Sequence, residues 1–113
     1  MNTKILGASG EQQAAEFLKE KGYKILETNF SNKIGEIDII AKDKEFVVFV
    51  EVKARSSKAF GLPSEAVNFH KQQKIRQVAL SYLKSNKMFG KIQCRFDVVE
   101  VLDDYIRHIE NAF

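Results

Sequence analysis

The chain has 113 residues, which is enough for one domain and too few for two ordinary hydrophobic cores. Its content of 44% hydrophobic and 29% charged residues is typical of a folded globular domain and excludes a disordered or low-complexity chain. Lys and Arg number 18 against 15 Asp and Glu, which gives a formal net charge of +3. We expect residues 1–113 to form a single domain.

No apolar stretch approaches the roughly 20 residues of a membrane-spanning helix, and residues 1–10 lack the apolar run of a signal peptide. The single cysteine, Cys94, cannot form an internal disulfide and is expected to be a small buried side chain in a reducing compartment. His70 and His108 are far apart in sequence, unlike the closely paired histidines of a typical zinc site. These features predict a cytoplasmic protein with no membrane partner.

Local sequence signals predict two helices and five strands. The segment Ser9-Gly10-Glu11-Gln12 resembles a capping box and predicts a helix that ends at Gly22. Pro63 suits the start of a second helix, which the apolar stripe over residues 75–83 extends to about Lys87. The order α-β-β-β-α-β-β indicates an α/β fold of the α+β type, with helices packed on a mixed sheet. The predicted strands cover residues 23–30, 36–41, 46–53, 92–102 and 105–109.

The second and third predicted strands form an antiparallel hairpin in which Lys42 faces Glu45. One face of the hairpin, which includes Ile37 and Ile39, is apolar throughout, and the other face is apolar in its middle. Charges at the end of a strand that is buried on both sides are costly unless they are paired, hydrated or bound to a metal ion. The end of the second face carries four charged side chains: Glu36, Asp38, Glu51 and Lys53.

Asp38, Glu51 and Lys53 are predicted to lie within reach of one another. Glu51 and Lys53 are two residues apart on one strand, so they point the same way at a separation of about 6–7 Å. Asp38 lies opposite Glu51 or diagonal to it, at most about 7–8 Å away. Two carboxylates in this range can bind one hard divalent cation such as Mg²⁺. The alternative is an ion-pair cluster in which Lys53 neutralises both acids, and the hairpin alone does not separate the two.

Both predicted helices also begin their buried faces with polar residues. Glu11 shares a face with Leu18, and Lys71 and Gln72 extend the apolar stripe of the second helix toward its N-terminus. Taken singly, Glu11 is explained by the helix dipole, and the other two residues by a solvated first turn. Polar residues at the ends of three buried faces together favour a common site.

The middle of the chain is strongly basic. No Asp or Glu occurs between Ala66 and Phe96, whereas seven Lys and Arg residues do. Such a stretch favours binding to a phosphate backbone without sequence readout, and a solvated surface is the alternative. Phe60, Phe69 and Phe89 are interpreted as packing residues and not as base-stacking platforms. The candidates for contact with a nucleic-acid backbone are Arg55, Lys71, Gln72, Lys74 and Arg76.

Several sequence blocks resemble the YraN-like family of small bacterial proteins, and the resemblance runs nearly from end to end. This family is similar to the archaeal Holliday-junction resolvases and to the PD-(D/E)XK nuclease superfamily. The resemblance implies a restriction-endonuclease-like core, with a central mixed sheet flanked by helices, and metal-dependent hydrolysis of phosphodiester bonds. The matching blocks include Gly10-Glu11, Gly35-Glu36-Ile37-Asp38, Phe49-Val50-Glu51-Val52-Lys53, Lys71 and Arg95-Phe96-Asp97-Val98-Val99.

The resemblance also implies roles for individual residues. Asp38, Glu51 and Lys53 match the two acids and the lysine of the superfamily motif, with Ile37 where the motif name has Pro. Glu11 matches the first-helix Glu of resolvase-like members. Asp38, Glu51 and Glu11 are therefore the expected ligands of Mg²⁺ or Mn²⁺. Lys53 is expected to orient the attacking water.

The expected activity is endonucleolytic cleavage of branched or damaged DNA, and RNA is also open as a substrate. Glu36 is expected to be an outer partner of Asp38 or to pair with Arg55. A homodimer is open as well, because resolvase relatives pair as two-fold dimers. Two other functions stay open, namely an adaptor that binds nucleic acid without turnover and a protein-interaction module.

Overall fold

The computed structural model describes residues 9–54, 67–103 and 105–113. The order of its elements confirms the predicted α-β-β-β-α-β-β succession and the mixed α+β fold. The predicted helix start at Pro63 lies outside the described residues. None of the described helices is long and apolar enough to cross a membrane. The elements are α1 (Gly10–Glu20), β1 (Lys24–Ser31), β2 (Glu36–Asp43), β3 (Phe46–Ala54), α2 (Phe69–Ser85), β4 (Gln93–Val101) and β5 (Ile106–Ile109).

The five described strands form one mixed sheet in the order β1-β2-β3-β4-β5. The pairs β1-β2, β2-β3 and β4-β5 are antiparallel, whereas β3 and β4 run parallel. A parallel pair needs a crossover connection, and α2 lies in the connection between β3 and β4. β3 is therefore the central strand, which agrees with the nearly continuous burial of its residues.

The two helices of the described residues pack on opposite faces of the sheet. Neighbouring residues of β3, such as Val48 and Phe49, belong to different hydrophobic clusters, as strand alternation requires. The cluster on the α1 face comprises Ala14, Leu18, Tyr23, Ile39, Ala41, Val48, Val50, Val99 and Val101. The cluster on the α2 face comprises Ile37, Ile40, Val47, Phe49, Val67, Ile75, Val78, Ala79, Tyr82, Leu83 and Val98.

Both helices begin after a capping residue. Ser9 and Gln12 form the predicted capping box of α1, because the side chain of each accepts from the backbone N–H of the other at 3.1 Å. At α2, the side-chain oxygen of Asn68 accepts from the N–H of Lys71 at 2.8 Å. Asn is a favourable capping residue, which explains why the described helix begins at Phe69. The cap places Lys71 in the first turn of α2.

The register of the β2–β3 hairpin differs from the predicted one by two residues. Lys42 lies opposite Val47 and not opposite Glu45, because the turn contains only Lys44 and Glu45. Lys44 takes a left-handed conformation with φ 55°, which this short turn requires. A shift of two residues does not by itself move a side chain to the other face, so it keeps the charged residues at the same end of the hairpin.

The paired region of β2 and β3 ends at Ile39 and Val50, and β2 continues to Glu36 through its pairing with β1. Ile37 packs with the cluster on the α2 face, so the prediction that it shares a face with Ile39 is wrong. The strict alternation of β2 is thus lost where its pairing with β3 stops. The charged residues of the hairpin lie beyond this point.

Cys94 is exposed, which corrects the prediction of a buried side chain. It is the second residue of β4, and the burial of this strand begins only at Arg95. The packing of the thiol therefore gives no support to the predicted reducing compartment.

Candidate functional site

The sheet and α2 bring together Asp38, Glu51, Lys53 and Lys71, which we term the carboxylate cluster. Glu51 connects its members, since Oε2 of Glu51 lies 3.6 Å from Nζ of Lys53 and forms an ion pair with Nζ of Lys71. The Glu51 side chain is only 4% exposed, whereas those of Lys53 and Lys71 are 28% and 43% exposed. Solvent therefore reaches the edge of a buried carboxylate at the two lysine side chains.

Asp38 is held against β3 by a backbone hydrogen bond. Its Oδ2 atom accepts from the N–H of Val52 at 2.8 Å. Because the pairing of β2 with β3 has ended at Ile39, the carboxylate accepts from an N–H that the β2 backbone does not reach. The bond fixes Asp38 next to the segment that carries Glu51.

The pKa of Asp38 reflects this crowded position. Burial raises it strongly, the hydrogen bond from Val52 lowers it, and the charges of Glu51 and Glu11 raise it further, to about 7. An acid that Lys53 simply neutralised would have a lowered pKa instead. The cluster therefore holds two acids that repel each other, which favours a bound cation or proton at neutral pH.

Asp38 and Glu51 are the two predicted ligands that the structure brings together. Among residues 9–54, 67–103 and 105–113, no group of three or more Asp, Glu, His or Cys side chains is arranged to hold a metal ion. Mg²⁺ takes one or two protein carboxylates and completes its shell with water and phosphate oxygens, so the pair alone fits such an ion. Glu11 lies half-buried in the first turn of α1 and acts on Asp38 through its charge. Its role as a third ligand stays a prediction.

Lys71 lies on Glu51, although it was predicted as a contact for a nucleic-acid backbone. Burial lowers its pKa, but the hydrogen bond and the charge of Glu51, helped by the charge of Asp38, outweigh burial and raise it. Lys71 therefore stays charged and forms the counter-charge of Glu51.

The other predicted backbone contacts on α2 have different environments. Gln72 donates its side-chain amide to the carbonyl of Val67 at 2.8 Å and thereby stabilises the start of the helix. Lys74 is exposed. The guanidinium of Arg76 lies 4.6 Å from the ring centroid of Phe96. Lys74 and Arg76 thus lie on the outer surface of α2.

Glu36 is exposed at the start of β2. Arg55, its predicted ion-pair partner and a predicted backbone contact, lies outside the described residues. The role of Glu36 as an outer partner of Asp38 therefore stays a prediction.

A second polar cluster, which was not predicted from the sequence, is buried on the α1 face. We term Tyr23, Asp43, Arg95, Asp97 and His108 the arginine cluster. Arg95 donates to both carboxylate oxygens of Asp97 at 3.0 Å, to Oη of Tyr23 at 2.6 Å and to Oδ2 of Asp43 at 3.2 Å. The Arg95 side chain is only 6% exposed, so it does not belong to the basic surface with which the sequence grouped it.

Asp97 is fully buried and satisfied from several sides. Besides Arg95, its Oδ2 atom has Nε2 of His108 at 2.7 Å, and its Oδ1 atom accepts from the N–H of Asn111 at 3.1 Å. Burial would raise its pKa, but the bonds from His108, Arg95 and Asn111 outweigh burial and lower it. The sequence signal was the placement of Arg95 and Asp97 at alternating positions of a mostly apolar strand.

Glu100 is a further buried acid that was not predicted. The register of β3 and β4 places it opposite Lys53, and paired residues of neighbouring strands share a face. Nε of Arg107 donates to Oε1 of Glu100 at 3.0 Å, and Nη2 of Arg107 bonds the same oxygen. An ion pair between this buried acid and an exposed arginine thus borders the carboxylate cluster.

Residues 10–101 match the sequence profile of the Uncharacterised protein family UPF0102. UPF0102 proteins of Caldanaerobacter subterraneus subsp. tengcongensis and Alkaliphilus oremlandii are 53% and 55% identical, over 100% of this chain and 98% and 100% of their own lengths. A UPF0102 protein of Thermodesulfovibrio yellowstonii is 52% identical over 96% of this chain and 95% of its own length. These similarities extend over both helices and all five described strands.

Proposed function

Since this chain belongs to the uncharacterised protein family UPF0102, as the resemblance to YraN-like proteins predicted, we propose that its carboxylate cluster makes it a metal-dependent endonuclease. Its substrate would be branched or damaged DNA. The proposal includes kinship with the PD-(D/E)XK nucleases and the archaeal Holliday-junction resolvases, on the strength of the sequence motif. It also includes a homodimer on four-way DNA, because two sites related by a two-fold axis would cut a symmetric junction on both strands.

The observation that carries the proposal is the pairing of Asp38 with Glu51. The ion pairs of Lys53 and Lys71 go to Glu51, whereas burial and the acidic neighbour Glu51 raise the pKa of Asp38 to about 7. A divalent cation between the two carboxylates would offset both effects. Perturbed acids in an accessible cluster are typical of functional sites.

The residues of the carboxylate cluster have different roles in the proposed reaction. Asp38 and Glu51 would hold Mg²⁺ or Mn²⁺, with the Val52 carbonyl and the Glu11 carboxylate as further candidates. Such an ion supplies positive charge to a phosphoryl oxygen and makes a water molecule more acidic. Lys53, which is open to solvent beside Glu51, would orient the attacking water and stabilise the negative charge that develops on the phosphate.

The surface of α2 supports binding to a polyanion. The helix from Phe69 to Ser85 contains no acidic residue, and Lys74 and Arg76 lie on its outer surface. Basic side chains of this kind contact the phosphate backbone and give a salt-dependent affinity without reading bases. Lys71, when released from Glu51, would add a contact near the scissile phosphate.

The ion pair of Lys71 with Glu51 favours a second candidate function. The lysine amine bonds a carboxylate oxygen that a metal ion would otherwise use. If this ion pair persists, the protein would be an adaptor that binds nucleic acid without turnover. Salt-dependent DNA binding by the wild-type protein, with no cleavage in Mg²⁺ or Mn²⁺, would establish that function.

The proposal is tested with labelled linear, flap, Y-form and four-way DNAs, and with a structured RNA, in Mg²⁺, Mn²⁺ or a chelator. We expect branched DNA to be cut faster than linear DNA, and only with a metal ion. The variants Asp38→Asn, Glu51→Gln and Lys53→Ala should each lower the rate by at least about 100-fold and keep DNA binding.

Glu45→Gln is the matched control, because Glu45 is an exposed acid at the opposite end of the same hairpin. It should cut like the wild-type protein. Cleavage by Glu51→Gln at the wild-type rate would refute the site.

A further inference from the structure

Phe69 has an environment that the predicted packing role does not explain. It is the first residue of α2, directly after the capping residue Asn68, and its side chain is 72% exposed. The prediction that it is a packing residue is therefore wrong. A single exposed hydrophobic residue is ordinary on a protein surface, so its meaning depends on its surroundings.

Phe69 lies in the same first turn of α2 as Lys71, whose amine forms the ion pair with Glu51. The two residues are only about 3 Å apart along the helix axis, but their side chains leave the helix on different sides. Gln73 and Arg76 follow Phe69 at spacings of four and seven residues and continue the same outer face of α2. An exposed aromatic ring thus begins a polar and basic surface within one helical turn of the cluster.

The charge around Phe69 matches a nucleic acid. α2 carries four basic residues and no acid over its full length, so it attracts a polyanion. Proteins that bind single-stranded nucleic acid combine such a basic surface with exposed aromatic rings on which bases stack. The four basic residues of α2 are Lys71, Lys74, Arg76 and Lys84.

We propose that Phe69 is a stacking platform for an unpaired nucleobase in a strand that follows the basic surface of α2 to the carboxylate cluster. The inference rests on the proposed nuclease function and names its substrate class, which is DNA with unpaired nucleotides near the cleavage position. A flap, a gap or a frayed junction offers such a nucleotide. In an intact duplex each base is already stacked between its neighbours, so its face is closed to the ring.

The chain contains no tryptophan, so Phe69→Trp introduces a single fluorophore at the proposed platform. Phe89→Trp is the matched control, because Phe89 is 56% exposed and lies beside a lysine but follows the far end of α2. The 17 residues from Phe69 to Ser85 span about 24 Å along the helix axis. Both variants are titrated with flap DNA and with duplex DNA of equal length, in Ca²⁺ to prevent cleavage.

We expect flap DNA to quench the emission of Trp in Phe69→Trp several-fold more than duplex DNA does, with no such difference in Phe89→Trp. Phe69→Ala and Phe69→Leu should both weaken flap binding by roughly tenfold, because neither side chain offers an aromatic face. Phe69→Leu keeps an apolar side chain, so an equal loss in both variants separates stacking from simple hydrophobic contact.

Fluorescence anisotropy of labelled DNA in the same samples distinguishes failure of the stacking proposal from failure of the nuclease proposal. Flap DNA that binds without quenching Phe69→Trp overturns the stacking platform and leaves the nuclease proposal standing. Equal quenching of the two Trp variants also overturns it, because the contact is then not specific to Phe69. No binding of any DNA by the wild-type protein at low salt overturns both proposals. Wild-type affinity for flap DNA in Phe69→Leu would assign Phe69 to an apolar contact instead.

Discussion

Asp38 and Asp97 are acids on inner strands of the same sheet, yet their electrostatic environments are opposite. Asp97 is bonded by the guanidinium of Arg95, the imidazole of His108 and a backbone N–H, and these bonds lower its pKa despite full burial. Asp38 accepts from one backbone N–H and lies next to Glu51, so its pKa is raised to about 7. Burial alone therefore does not distinguish a structural acid from a functional one; the balance of its partners does.

The two clusters differ in the same way as a whole. The arginine cluster ties together Tyr23 after α1, Asp43 at the end of β2, Arg95 and Asp97 of β4, and His108 of β5. The carboxylate cluster pairs its lysines with Glu51 and leaves Asp38 beside that second acid, at a solvent-accessible edge. We interpret the arginine cluster as one that stabilises the fold, and the carboxylate cluster as a site that binding of a cation would stabilise.

Removing the central acid of the arginine cluster is expected to give the largest effect on stability. Asp97→Asn should cost about 3–5 kcal/mol in the free energy of unfolding, because it removes the fully buried counter-charge of Arg95 and leaves only the partly exposed Asp43 and Glu110 beside the guanidinium. Urea denaturation followed by circular dichroism measures the loss. Glu45→Gln removes an exposed negative charge and should stay within about 0.5 kcal/mol of the wild-type value. A loss for Asp97→Asn no larger than that of this control would contradict a structural role.

The same acid should make stability depend on pH in the acid range. The pKa of Asp97 is lowered in the native state, so the unfolded chain takes up this proton first as the pH falls. The stability that Asp97 contributes is present above the unfolded pKa of about 3.9 and is lost as the pH falls through the native pKa. The difference in unfolding free energy between the wild-type protein and Asp97→Asn should therefore shrink below about pH 4. A difference that grows on acidification would contradict the assigned bonds.

On the outer surface of α2, a single charge should have a moderate effect on DNA binding. Lys74→Ala should weaken binding by less than about tenfold and reduce the slope of log affinity against log salt by about one. Lys24→Ala removes an equally exposed lysine at the start of β1 and should change neither quantity. Salt titrations by fluorescence anisotropy give both values. Equal losses in the two variants would show that only net charge matters.

The smallest expected effect is a gain in stability from removing one of the repelling acids. Asp38→Asn should raise the free energy of unfolding by about 1 kcal/mol in a chelator, because it ends the repulsion with Glu51 and keeps an oxygen for the N–H of Val52. Mn²⁺ should stabilise the wild-type protein by mass action and leave the variant unchanged. Thermal melts with and without Mn²⁺ measure both effects. A destabilised Asp38→Asn would place Asp38 with Asp97 as a structural acid.

Much of the fold follows from local patterns that burial on two faces imposes. The sequence was sufficient to predict the capping box of Ser9 and Gln12 and the apolar strands of the hairpin, because each depends on residues a few positions apart. Asn68 is also a recognisable capping residue in the sequence, but the predicted helix start was based on Pro63. The side of the sheet on which Ile37 packs could not be predicted, because it depends on where the pairing of β2 with β3 ends.

The residues of the candidate site could be predicted where they lie on one hairpin. Asp38 and Glu51 could be paired from strand geometry alone. The environment of Arg95 could not be predicted from the sequence, because its burial depends on Tyr23, which is 72 positions away in the chain. Arg95 also lies in a basic stretch, which suggested an exposed side chain. The contact of Lys71 with Glu51 likewise depends on how α2 crosses the sheet.

The central claim is that Asp38 and Glu51 hold a divalent cation, and paramagnetic broadening by Mn²⁺ in two-dimensional NMR spectra tests it most directly. A chain of 12.9 kDa is small enough for amide signals to be assigned and followed individually. We predict that substoichiometric Mn²⁺ first broadens the amide signals of Asp38, Val52 and Lys53, and that Glu51→Gln abolishes this selectivity while Glu45→Gln preserves it. Mn²⁺ that broadens these signals no sooner than those near Asp97, or that acts equally on wild type and Glu51→Gln, would contradict the claim.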